Sequence, residues 1–91
     1  MSTPKFKLGR IVGTPGSAAF IEKHEIDGAE LLKRHHSGDW GDCCEEDKVH
    51  NDRALEHGGR LMSVYKFGDD AIWIITEYDY SATTVLLPSE Y

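Results

Sequence analysis

No apolar run in this 91-residue chain is longer than the five residues from Ala71 to Ile75, so nothing in it is long enough to cross a bilayer as a helix. Cysteine occurs twice, at the adjacent positions Cys43 and Cys44. Neighbouring residues close a strained ring on oxidation, which argues against a structural disulfide and fits reduced thiols in a cytoplasmic protein. Cations are scarce: ten Lys and Arg stand against sixteen Asp and Glu, a formal net charge of −6. That balance argues against non-specific binding to nucleic acid or to an anionic membrane, since both need basic surface. It permits a basic protein partner or, as the lesser reading, a weak mimic of nucleic acid. There is no internal repeat and no low-complexity segment. The opening from Met1 to Lys7 is polar with no apolar run behind it, and predicts no signal peptide.

What remains is an ordinary globular composition, with 40% hydrophobic and 29% charged residues. The length sets one domain, 1–91, which buries only about 60–65% of its unfolded surface and so relies on one modest core. Phe6 to Gly13 read as a first strand, with Phe6, Leu8 and Val12 in a period of two and Arg10 breaking it as an edge strand allows. Thr14-Pro15 opens a helix over 15–23. Asp27, with Glu30 three residues on, starts a second over 28–37. Asp42 takes the N-cap of a third over 43–57, whose buried stripe is Cys44, Asp47, Asn51, Ala54 and Leu55. Strands are predicted over 60–67, 71–78 and 83–87, the middle one central and the turns short. The expected fold is α+β: three short helices on one face of a small antiparallel sheet, a three-strand C-terminal meander joined by the N-terminal strand.

The chemistry concentrates between the second and third helices, in Arg34-His35-His36-Ser37-Gly38-Asp39-Trp40-Gly41-Asp42. His35 follows Leu31 and Leu32 on the helix face that meets the core. As a general base it would need Asp39 or Asp47 to orient it. One His without a nucleophile or an oxyanion site is an incomplete set, so His35 and Asp39 are weak catalytic candidates. The simpler reading is a core His that hydrogen-bonds a nearby backbone group or Asp. Trp40, flanked by glycines, reads as an anchor folded over the core with its N–H satisfied. Asn51 lies in a buried helix stripe and needs partners. Trp40, Asn51 and Arg60 are the binding candidates. No metal or cofactor is expected, because the cysteines are adjacent and no H-x-x-x-H spacing occurs. A reactive thiol is opposed by Asp42, Glu45 and Glu46. Thr83-Thr84 reads as β-propensity with solvent-facing alternation.

Several blocks together resemble a known family. They are Leu8-Gly9 with Thr14-Pro15-Gly16, the run His35 to Gly41, Asp47 with Asn51 and Ala54-Leu55, Arg60-Leu61, Ile74-Ile75-Thr76-Glu77, and Thr83 to Pro88. The family consists of small bacterial proteins met on plasmids and other mobile elements, sometimes labelled plasmid-related protein. The resemblance spans nearly the whole chain and implies no particular activity. Tyr80 stands where that pattern has Arg, which removes the side chain an anion site there would use. Cys43-Cys44 falls outside the pattern.

Two functional classes follow. One is a non-enzymatic, acidic, cytoplasmic interaction or accessory module of a mobile genetic element, which should expose an apolar patch or an unpaired strand edge. The other is a small ligand-binding or hydrolase-like protein with a site around His35, Asp39, Trp40 and Asn51, which should show a pocket joining them. If the stretch is structural, Trp40→Ala costs about 3–5 kcal/mol, and His35→Ala destabilises by leaving its partners unpaired. Chemical denaturation beside wild type measures both. Unchanged midpoints in both variants would assign the stretch to binding or catalysis instead.

Overall fold

A computed structural model describes residues 5–91; residues 1–4, on which part of the signal-peptide reading rests, lie outside the described residues. The chain runs β1 (Arg10–Gly13), α1 (Pro15–Lys23), α2 (Gly28–His36), α3 (Glu45–His57), β2 (Leu61–Phe67), β3 (Asp70–Thr76), β4 (Ala82–Leu86) and a closing 3-10 turn (Pro88–Glu90). Among the described residues this is an α+β fold with a four-stranded sheet ordered β1-β4-β3-β2.

The first two helices start where their caps dictate. Thr14 keeps an extended backbone and its Oγ1 accepts from the Ser17 amide at 3.1 Å, with Pro15 in the first turn. Asp27 Oδ1 accepts from the amides of Ala29 and Glu30. The third helix departs from expectation. It begins at Glu45, and its N-cap is Cys44, which makes no side-chain cap bond. Asp42 is not the cap because β2 uses its carboxylate: Oδ2 accepts from the Lys66 amide at 2.9 Å. The later start also exchanges the cysteines, so Cys43 is buried and Cys44 exposed.

Strands β2, β3 and β4 form the expected antiparallel meander, with Thr76 opposite both Leu61 and Thr83. The all-antiparallel sheet is corrected at β1, which pairs in parallel with β4, Ile11 lying beside Thr83. A tight turn forces two strands antiparallel. β1 is instead separated from β4 by three helices and two strands, and so long a connection can return in either sense. β1 is also shorter than Phe6 to Gly13. Gly9, at φ +66°, turns the chain against the backbone of Tyr80 and Ser81, where a Cβ would collide. Phe6 to Leu8 therefore leave the strand.

One sheet face carries the buried residues Leu61, Ser63, Tyr65, Ile72, Ile74, Thr76, Thr83 and Val85. Phe20 of α1 and Leu31 of α2 pack into it beside Tyr65, Ile72, Ile74 and Val85. A second cluster of Trp40, Cys43, Ala54 and Leu61 joins α3 and the preceding loop to the start of β2.

The outer edge of β2 is sealed along its length. Asn51 Oδ1 accepts from the Met62 amide at 3.1 Å, and Asn51 Nδ2 donates to Met62 O at 2.8 Å. The Val64 amide donates to Trp40 O at 3.1 Å, and Val64 O accepts from the Asp42 amide at 2.6 Å. With the Lys66 amide bonded to Asp42, the outward amides of three successive edge residues are satisfied. The Asn51 amide thus stands in for one residue of a neighbouring strand, and the loop supplies the next. Gly41 sits where loop meets edge at φ +72°, and a Cβ there would collide with Val64 O.

Asn51→Ala leaves the Met62 amide without its partner and Met62 O with only the Cys43 thiol at 3.3 Å, so we expect a loss of about 2 kcal/mol in urea denaturation, with more self-association as the edge opens. A wild-type midpoint in this variant would show that the side-chain pairing does not hold the edge.

Candidate functional site

His35 is fully buried on α2, and both ring nitrogens are occupied. Nδ1 lies 2.5 Å from Ser63 Oγ and Nε2 lies 2.9 Å from Thr76 Oγ1. Thr76 Oγ1 is 2.7 Å from Thr83 Oγ1, and Thr83 donates to Leu8 O at 2.6 Å. This chain has one consistent proton order. The Leu8 carbonyl can only accept, so Thr83 spends its single proton there and must accept from Thr76. Thr76, with its proton spent, accepts from His35. The imidazole is therefore the neutral Nε2–H tautomer, and Nδ1 accepts from Ser63. Burial pushes the His35 pKa down to about 3 from its usual 6.5, with the neighbouring His36 adding to the effect.

His35 points inward as the helix spacing predicts, but its partners are hydroxyls rather than a backbone group or an Asp. Thr83 is likewise fully buried in the chain, not facing solvent. Ser63, Thr76 and Thr83 each occupy an inward position of their strand's alternation, in phase with Tyr65, Ile74 and Val85. A polar residue in the inward phase was the available signal for this network.

Asp39 does not orient His35. Its Oδ2 accepts from Arg34 Nε at 2.7 Å, and its Oδ1 accepts from the Gly41 amide at 3.1 Å. The Arg34 bond holds the Asp39 carboxyl below its usual range and raises the guanidinium. Arg34 also lies 4.6 Å over the Tyr65 ring, while Tyr65 Oη donates to Asp39 O at 2.7 Å. Trp40 is buried, as its flanking glycines allow, and Nε1 donates to Asp52 Oδ1 at 3.1 Å. Its ring meets His35 edge-on at 5.7 Å between centroids and stacks with Phe6 at 6.2 Å. His35 and Trp40 therefore come together, while Asp39 serves the loop and Asn51 serves the β2 edge.

The binding candidates separate. Asn51 and Arg60 line a shallow cavity of about 200 Å³ with Asp47, His50, Met62, Ile75 and Tyr91. Trp40 is not among its lining residues. Arg60 already donates to Tyr91 Oη at 2.9 Å and lies 4.0 Å from Glu77. Neither the cavity nor the loop presents a nucleophile beside a base. Among the described residues no group of three His, Cys, Asp or Glu could hold a metal ion. Compared with protein-family models, curated proteins and solved structures, the chain returns no match.

A neutral buried His has a defined pH signature. The unfolded chain binds a proton near pH 6.5 that the folded chain refuses until about pH 3. The His35 contribution is complete above pH 6.5 and is lost as pH falls toward 3, with a slope of up to about 1.4 kcal/mol per pH unit. Wild-type stability measured across that window should fall more steeply than that of His35→Gln. A second readout needs no variant: the His35 ring resonances should stay at their neutral positions down to about pH 5. Titration of that ring near pH 6.5 would refute the sealed-imidazole account.

Proposed function

We propose that this chain is a non-enzymatic protein-interaction module that receives an extended segment of its partner along the outer edge of β1. One observation carries the reading, the unequal treatment of the two sheet edges. The β2 edge is closed by Asn51, Asp42 and the Trp40 backbone. At the other edge, Arg10 and Thr14 point their amides at Ser81 and Val85 of the β4 side. Backbone alternation then turns the amides of Ile11 and Gly13 outward, and no strand among the described residues pairs with them. Ile11 is 53% exposed and Val12 39%. An open edge with apolar side chains is a template for strand addition.

A hydrolase-like site around His35, Asp39, Trp40 and Asn51 has less support. Those side chains are bonded to Ser63 and Thr76, to Arg34, to Asp52 and to Met62 respectively. The resemblance to plasmid-borne proteins extends the proposal to an accessory module of a mobile genetic element, acting in the cytoplasm. No helix among the described residues is long and apolar enough to cross a membrane.

Ile11→Pro tests the reading. It removes one outward amide while the Arg10 and Thr14 bonds to the β4 side remain. In cross-linking from host cells, wild type should retain a partner that this variant loses, with thermal midpoints matched. A partner retained equally by both would place docking elsewhere on the surface.

A further inference from the structure

The open edge of β1 lies in the longest stretch of the chain that carries no acid. Residues 1–21 contain Lys5, Lys7 and Arg10 and neither Asp nor Glu, the first acid being Glu22. The remaining seventy residues hold seven Lys and Arg against sixteen Asp and Glu. Lys7 and Arg10 are exposed at the start of the strand, while Lys5 is tied to the end of α2 through His36 O. The ion pairs found among the described residues involve other cations. A chain of net charge −6 thus turns two cations to solvent at the start of this edge, while Glu90, bonded to Thr14 Oγ1, lies at its far end.

We infer that the occupant of this edge is an extended acidic segment of another protein, one with β-branched residues at its centre and carboxylates at the end that meets Arg10 and Lys7. The inference rests on the docking reading above and adds the chemistry of the partner. Three features select that occupant. Backbone groups of Ile11 and Gly13 can pair with any extended chain, so they give adhesion without identity. Alternation sends Ile11 to the helix-covered face of the sheet and Val12 to the opposite face. An added strand therefore finds an apolar neighbour on each side, which favours β-branched residues at two successive positions. Arg10 at the start of the strand, with Lys7 before it, then attracts carboxylates beyond that apolar pair.

A second copy of the chain fits the same edge poorly. The strand is four residues long, and pairing over that length falls well short of the roughly 1,000 Å² a stable dimer needs. A nucleic acid would meet the same cations but also the surrounding acidic surface.

The probes are two end-blocked peptides of alternating valine and threonine, one flanked by glutamates and the other by lysines. Binding to the whole chain is read by fluorescence anisotropy and by backbone amide shifts. The glutamate-flanked peptide should bind roughly tenfold more tightly at low salt, and the difference should shrink at about 1 M salt, where the Debye length is near 3 Å. Shifts should centre on Ile11, Val12 and Gly13. Ile11→Pro should abolish binding, and Arg10→Glu should remove the preference for glutamate. Equal affinity for the two peptides, or shifts centred elsewhere, overturns the inference. So does a concentration-dependent dimer that Ile11→Pro abolishes, or a single-stranded oligonucleotide that shifts the same amides more tightly than either peptide. If the peptides show no charge preference while a cellular partner is still lost in Ile11→Pro, the acidic occupant falls and the docking edge stands.

Discussion

A carbonyl oxygen that can only accept sets the order of the largest buried polar network in this fold. Leu8 O takes the proton of Thr83, and each hydroxyl behind it is left one role. The imidazole of His35 inherits its tautomer from that order and passes it to Ser63. The network joins α2 to β2, β3, β4 and the segment before β1. In a core this small, an unpaired group in such a site would cost a large share of total stability. It also fixes the rotation of α2, because the ring meets both hydroxyls from one orientation. That rotation carries Arg34 over the Tyr65 ring and so sets where the following loop begins.

The loop from Ser37 to Asp42 then behaves as part of the sheet rather than as a linker. Its backbone pairs with Val64, its last carboxylate takes Lys66, and its Trp40 closes the gap between α2 and α3. The chemistry that makes this stretch conspicuous, two His, two Asp and a Trp, is absorbed by structure. The side chains that look catalytic in the sequence, His35 and Asp39, already hold hydrogen-bond partners within the fold. Exposed backbone lies at the opposite edge of the sheet, along β1. The molecule seals one edge with α3 and the loop before it and leaves the other as bare main chain.

The sequence by itself determined the elements and their order. Thr14-Pro15, Asp27 and the strand alternations act within a few residues, and local sterics and hydrogen bonding decide them. It also determined that His35 and Trp40 point inward, because helical spacing and the flanking glycines need no distant partner to do so. Only the tertiary structure decided the direction of β1, the hydroxyl partners of His35 and the diversion of Asp42 from cap to strand edge. Each of these joins groups far apart in the chain: Leu8 with Thr83, His35 with Thr76, Asp42 with Lys66. Which of several competent acceptors a donor meets depends on how the layers close, and periodicity carries no information about that. The same holds for the sheet edges. Both β1 and β2 are short and alternating in the sequence, and the arrival of α3 beside one of them leaves the other open.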